Sequence, residues 1–460
     1  MRQARLGDVT VSMKNGIYKP ASEYSDDGVP CLRMYNIDGG AIVWRDIKRM
    51  RVSSKEEDEY GLREGDLLVN RVNSRELVGK TACVPPSLEP SIFESKNIRV
   101  RLDGSRVLPK FVNYQMLLGA RRHFSSNAQQ VVGMASISQT QLAEFPIVLT
   151  DLGNQHRIVA EIEKQFFRLS QGVANLERVK GSLQCYKAAV LKAALEGRLV
   201  PTEAELARRE GRSYETGEAL VEQILGTRLR DWAGRGKYRA PAPFDSANLP
   251  VLPEGWAWAS LDSLSWASGY GTSAKCSYSG DGIAVLRIPN IQNGALDLDD
   301  LKFAPRDLVV PPKELVDRGD MLVIRTNGSK ALVGRAAIVC EQQMRALSFA
   351  SYLIRFRLCD GLRMARWMRI VWEESRLRSW IESHASTSAG QYNISQSALA
   401  TAAIPVPPLE EQHRIASEVE RCFSIVREVE SEVDVNLLRA MSMQRAVLAR
   451  FFPSSACQTS

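Results

Sequence analysis

The chain has 460 residues, 44% of them hydrophobic and 25% charged, enough for about three domains with cores of their own, which excludes a mini-protein. No stretch approaches the roughly 20 apolar residues that span a bilayer, no signal-like apolar segment follows the first methionine, and the eight cysteines form no Cys-x-x-Cys pair, so a cytoplasmic protein without membrane contact, disulfides or zinc is expected. The net charge of +7 is uneven: residues 1–150 carry +4, residues 256–404 carry +3 and the rest balances, a distribution that suits a protein touching a polyanion at two places and is also common with neutral partners.

In chain order, residues 1–150 read as short strands punctuated by Gly, Pro, Asn and Asp turns. The clearest strand, Leu67-Leu-Val69, runs into the loop Arg71-Val-Asn-Ser-Arg75. Residues 151–200 have no internal proline, and Ile162, Leu169, Leu176, Leu183 and Val190 recur at sevens, the seam of a coiled coil. At about 1.5 Å per residue, 154–196 predict a rod of roughly 65 Å. Residues 201–255 are polar, with a short helix over 217–232 and a proline-rich exit, and are expected to form a linker. Residues 256–404 return to strands, with Met321-Leu-Val-Ile324 leading into Arg325-Thr-Asn-Gly-Ser-Lys330. Residues 405–453 form a second long helix with Val419, Val426, Val433, Ala440 and Val447 on its seam, and 454–460 are a tail.

The second half repeats the first at an offset that grows from 254 to 257. Gly28-Val-Pro-Cys-Leu-Arg-Met-Tyr-Asn-Ile37 lies over Gly282-Ile-Ala-Val-Leu-Arg-Ile-Pro-Asn-Ile291, Gly65-Asp-Leu-Leu-Val69 over Gly319-Asp-Met-Leu-Val323, Leu77-Val-Gly-Lys80 over Leu332-Val-Gly-Arg335, and Gln155-His-Arg-Ile158 over Gln412-His-Arg-Ile415. Two copies of a strand-rich unit closed by a long helix predict an α+β chain with approximate twofold symmetry. The two helices are expected to pack antiparallel along their seams and to hold two similar heads apart.

Catalytic motifs are scarce. Gly79-Lys80-Thr81 resembles the end of a phosphate-binding loop, but the glycine required five residues earlier is absent, and the second copy reads Gly334-Arg335-Ala336. No Gly-x-Gly-x-x-Gly or His-Glu-x-x-His motif occurs. His156 and His413 repeat without a repeated nucleophile or carboxylate beside them, which favours a structural role over a general base. Ser138 and Ser395 read as helix N-caps, with Gln141 in capping-box position behind the first. The best binding signal is the pair of Arg-and-Asn loops, because arginine can read guanine and asparagine adenine in a major groove, whereas the plain alternative is a solvated turn. Tyr18 with Lys19, and Tyr270 with Lys275, form a weaker aromatic-plus-basic pairing in the first loop of each unit.

Pro405-Val-Pro-Pro-Leu-Glu-Glu-Gln-His-Arg-Ile-Ala-Ser-Glu-Val419, Leu191-Lys-Ala-Ala-Leu-Glu-Gly-Arg-Leu-Val200 and Leu252-Pro-Glu-Gly-Trp-Ala-Trp258 together resemble the specificity subunit of type I restriction-modification enzymes, over nearly the whole chain. The resemblance implies target-recognition domains at 1–150 and 256–404, separated by conserved helices at 151–200 and 405–453. It implies a non-catalytic chain that binds a bipartite, asymmetric site in double-stranded DNA. Two adenine methyltransferase subunits and, in the full enzyme, restriction subunits would dock on it, and S-adenosylmethionine, ATP and Mg would sit in those partners, with no cofactor on this chain. DNA contacts are expected from Arg71, Asn73, Ser74, Arg75, Lys80, Tyr18 and Lys19 in the first unit and from Arg325, Asn327, Ser329, Lys330 and Lys275 in the second. Partner contacts are expected on the helices around Gln155, His156, Arg157, Gln412, His413 and Arg414. Two departures stand out: Val148-Leu-Thr-Asp-Leu-Gly-Asn154 replaces the proline-rich, acidic lead of 405–411, and the first unit lacks the segment matching Trp256 and Trp258. The rival class is a non-enzymatic coiled-coil scaffold that binds proteins through its two heads.

Overall fold

The structure, a computed structural model, describes residues 2–127, 129–131, 134–232, 237–308, 310–339, 346–388 and 390–453; the expected tail at 454–460 lies outside them. The chain divides into two compact units, Met1–Arg178 with Val433–Ser460, and Val179–Glu432.

In the first unit a four-stranded antiparallel sheet runs in the order Thr81–Cys83, Leu67–Asn70, Asn97–Leu102, Thr10–Asn15. Leu67 and Val69 point into one core with Phe111, Met116 and Phe124 of the helix Pro109–Asn127, while Leu68 points into another with Leu32, Ile37 and Phe93. A strand buried on both faces needs a continuous apolar run rather than an alternating one, which is why this strand stands out in the sequence. A second sheet is built from Ile92–Phe93, Val29–Leu32, Lys48–Met50 and Tyr24–Ser25, and a third from Gln129–Val131, Met134–Ser136 and Val72–Asn73.

The second unit repeats this plan. Its central sheet runs Ala336–Ile338, Asp320–Ile324, Leu353–Leu358, Ser265–Tyr270, and Thr326–Asn327, Gln391–Asn393 and Ser386–Ser388 form the counterpart of the third sheet. Register is kept as well, with Leu68 opposite Arg99 and Leu322 opposite Arg355. The repeated Gly-Asp motif is structural: Asp66 accepts from Arg101 Nε (3.0 Å) and Asp320 from Arg357 Nε (2.9 Å), tying the sheet to the turn before it. So is the repeated Asn of the Leu-Arg-x-x-Asn-Ile motif, since Asn36 and Asn290 accept from the backbone of Arg33 and Arg287.

The long helices are Leu152–Leu195 and Leu409–Phe451. Within the first unit the start of one, at Ile158 and Ile162, shares a core with the end of the other, at Leu448 and Phe452. Within the second, Lys187 pairs with Glu430 at 2.8 Å and Val190 shares a core with Val419 and Cys422. The pairing is antiparallel in each. All ten seam positions are buried or half-buried, as the spacing of seven requires. Ser138 and Ser395 cap their helices, each accepting from the backbone N–H three residues on, and Gln141 completes the first box. At the departure from the proline-rich lead, Asp151 takes over and accepts from the Asn154 backbone at 2.9 Å. The segment matching Trp256 and Trp258 also has an equivalent: Arg2–Arg5 pairs with Pro146–Leu149 as Ala257–Ser260 pairs with Ala403–Val406, without the tryptophans.

The segment 201–255 carries a second helix, Glu203–Glu210, besides Gly217–Trp232, and Leu220 and Ile224 are buried in the core of the second unit. Glu203, almost fully buried, pairs with Arg212 and Arg414, each at 2.6 Å. Its backbone N–H donates to Glu411, which also accepts from Trp256 Nε1 at 2.9 Å. Burial pushes the Glu203 carboxyl up, but the two guanidinium partners outweigh it and hold it below the usual glutamate range, whereas burial raises Glu411. The signs are opposite. Glu203 contributes stability that is present above the usual glutamate pKa and is lost as pH falls through its depressed folded value. The contribution of Glu411 is present in acid and lost as pH rises through its raised value. Glu203→Ala is therefore expected to cost about 2–3 kcal/mol at pH 7, discounted from a fully buried pair because both arginines are partly exposed. The gap to wild type should narrow on acidification. Calorimetric unfolding at pH 7 and in acid checks this, and a gap that widens in acid contradicts it.

Candidate nucleic-acid interface

At one end of each central sheet three segments converge. In the first unit, Asn97 pairs with Asn70, and Ile98 with Asn15. Beyond those pairs the Arg71 N–H donates to Lys96 O (2.8 Å) and the Ser95 N–H to Ile17 O (2.8 Å), bringing the Arg-and-Asn loop, the 95–96 turn and the loop bearing Tyr18 together. In the second unit the Arg325 N–H donates to Tyr352 O (3.0 Å) and the Ser351 N–H to Thr272 O (2.8 Å). The third sheet lies alongside, with Ile137 and Ile394 donating from the backbone to Arg71 O and Arg325 O, each at 2.9 Å.

The side chains at these two ends differ. Asn73 is 9% exposed and fully engaged: Nδ2 donates to Asn70 Oδ1 (2.8 Å) and Oδ1 accepts from the Ser74 N–H (2.9 Å), while buried Asn70 donates to Asn97. It shapes the loop. In the second unit Ile324 and Leu353 stand in place of Asn70 and Asn97, and Asn327 is more exposed, its Oδ1 accepting from the Ser329 N–H at 2.8 Å. Arg71 is half-buried, with Nη1 donating to Ser95 O at 3.3 Å. Arg325 instead lies over the Tyr270 ring, 4.6 Å from its centroid, and the Tyr270 hydroxyl accepts from the Gln396 N–H at 3.2 Å. Tyr18 is 84% exposed; Lys275, Ser329 and Lys330 are exposed too.

The remaining candidates are engaged elsewhere. Lys19 donates to Glu56 and to Arg51 O, both at 3.1 Å. Lys80 pairs with Asp38 at 3.2 Å, Arg75 Nε donates to Ser125 O at 2.8 Å, and Ser74 Oγ donates to Glu76. Gly79, at φ +84°, closes a turn back onto Asn70 O. At the helix starts, Gln155 is buried and joins Leu108 N, Arg106 O and Thr150 O, and Gln412 donates to Pro407 O. Both tie helix to head. Arg414 is held by Glu203, His413 is half-buried, and only His156 and Arg157 face outward.

Sequence reasoning passed over two aromatic-basic pairs. Arg33 lies over exposed Tyr35, and exposed Tyr278 lies against Arg287 and Lys302. The signal was the arginine repeated at 33 and 287. Tyr352, also exposed, borders Arg325.

Among the described residues no helix is long and apolar enough to cross a membrane, and no three His, Cys, Asp or Glu side chains stand together as metal donors. Burial pushes the Cys31 and Cys359 thiols up to about 12, leaving neither as a thiolate at neutral pH.

No family model matches the chain. It is 24% identical over 457 residues to the type I restriction enzyme StySPI specificity subunit of Salmonella potsdam, covering 98% of this chain and 88% of that one. It is 21% identical, with the same coverage, to the EcoKI specificity subunit of Escherichia coli K12. A solved chain from work on complex assembly and conformational transition of the type I R-M system superposes with a TM-score of 0.60 at 18% identity, covering 98% of this chain and 96% of that one. This chain is thus similar to type I specificity subunits over nearly its whole length. In this chain the two sheet-end clusters share one backbone plan and differ in side chains at Asn15 and Tyr270, Asn70 and Ile324, and Asn97 and Leu353.

Proposed function

We propose that this chain is the non-catalytic DNA-specificity subunit of a type I restriction-modification complex, each strand-rich unit reading one half of a bipartite site. The duplicated sheet-end cluster carries the reading: two arginines sit at the same place in two copies of one fold, among different neighbours. Like scaffolds with unlike side chains suit a site whose halves differ in sequence. Of the sequence candidates, Arg71, Tyr18, Arg325, Asn327, Ser329, Lys330 and Lys275 would meet the duplex. The outward faces of the paired helices, where Leu438 and Met441 are exposed, would dock two adenine methyltransferase subunits, since a repeated surface duplicates any site on it. Restriction subunits would complete the enzyme, and S-adenosylmethionine, ATP and Mg would be held by the partners.

Selection from a randomised duplex library should recover two separated blocks of fixed bases, and native mass spectrometry should show two methyltransferase chains per specificity chain. No enrichment would favour the protein-binding scaffold, and saturation at one to one would remove the second docking place. Methylation by the isolated chain supplied with S-adenosylmethionine would overturn the non-catalytic assignment.

A further inference from the structure

We propose that Arg325 reads a guanine in the second half-site and that Tyr270 is the positioning residue that holds it, an inference that rests on the DNA reading above. Among the described residues the Arg325 guanidinium makes no hydrogen bond or ion pair: its Nε is buried without a partner, and its one arrangement is the stack on Tyr270. Other cations of the two units are held by protein oxygens. Arg71 donates to Ser95 O, Lys80 to Asp38 and Arg287 to Asp300.

A guanidinium carries five donors and no acceptor, so a half-buried one without protein oxygen partners leaves a fork of donors that solvent or a ligand's acceptors must satisfy. Stacking fixes the plane of the fork, and the Tyr270 ring is itself held through its hydroxyl by the Gln396 N–H. A phosphate can also accept two N–H donors, but a mobile point charge suffices for it and the exposed Lys330 is at hand. A fixed plane matters for a flat, two-acceptor edge. Guanine presents O6 and N7 in the major groove as such an edge, the match for two parallel N–H donors. The first unit lacks the device: Asn15 replaces Tyr270 and is bonded to Gln139, and Arg71 is turned to its own backbone. The stacked fork belongs to one half-site only.

The test uses the full chain assembled with its methyltransferase subunits and a duplex library. Wild type should require a G·C pair at one position of the second half-site. Arg325→Ala and Arg325→Lys should relax that position alone, discrimination falling roughly 10- to 100-fold, with the first half-site unchanged as the control for folding. Tyr270→Phe, which keeps the stack and loses only the Gln396 anchor, should retain most of the preference, and Tyr270→Leu should relax the same position far more, a pattern general destabilisation would not give. Placing 7-deazaguanine, which lacks the N7 acceptor, at that position should weaken wild type about tenfold and leave Arg325→Ala unaffected. A uniform loss over all sequences in Arg325→Ala, with a shallower salt dependence, would make it a phosphate contact and overturn the proposal. So would a second half-site without a G·C requirement. A wild-type complex that selects no sequence overturns the DNA reading itself, and this inference with it.

Discussion

A chain carrying one extra heptad in the first long helix after Leu176, and a matching one in the second after Val433, is expected to select DNA sites whose halves lie about three base pairs farther apart, with both half-site sequences unchanged. Each helix is continuous, 44 and 43 residues long, and in sequence the first joins one strand-rich segment to the next. Seven residues add about 10 Å of helix, close to three steps of duplex at about 3.4 Å each. A whole heptad keeps Ile162 to Val190 and Val419 to Val447 on the seam, so packing is preserved while length changes. Selection from libraries with variable spacers reads the result directly. An unchanged preferred spacer in a folded, assembled variant would show that the helices do not set the distance.

The parts of this fold legible in the sequence are those that physics writes as periodicity. The seam positions recur at seven because each must face a partner helix, and Leu67-Leu-Val69 is uninterrupted because its two faces enter two cores. The internal repeat exposed the duplicated architecture before any contact was known. Pairings between distant segments left no such trace. Lys19 is neutralised by Glu56, 37 residues away, and Arg325 is oriented by Tyr270, 55 residues before it. Asn73 has the composition of a base-reading residue, yet Asn70 and Asn97 make it a structural one, while Asn327 keeps its exposure because Ile324 and Leu353 offer it no hydrogen bond. The polar 201–255 segment read as a linker because its apolar anchors, Leu220 and Ile224 with Val221 and Leu252 beside them, are too few to reveal the core they enter.

Gly271→Ala is expected to destabilise the second unit by about 3 kcal/mol and to abolish its reading of DNA, while the first half-site is still recognised. Gly271 lies where Thr272 bridges to Ala350 and donates to Phe349 O at 2.8 Å. A methyl group on Gly271 would overlap that carbonyl, and Phe349 is buried and cannot retreat. Backbone has no rotamer to give way, so the strain falls on the bridge and on the buried packing behind it. Tyr270 immediately precedes the strained residue, which couples the loss of stability to displacement of the Arg325 stack. Gly269, two residues earlier and within the strand Ser265–Tyr270, has open space where a Cβ would go. Gly269→Ala should therefore stay within about 0.5 kcal/mol of wild type and select the same site. Denaturant unfolding of both variants, with half-site selection on each, separates the effects. If Gly271→Ala unfolds with the wild-type midpoint and keeps the second half-site, the close approach at Phe349 does not position the cluster.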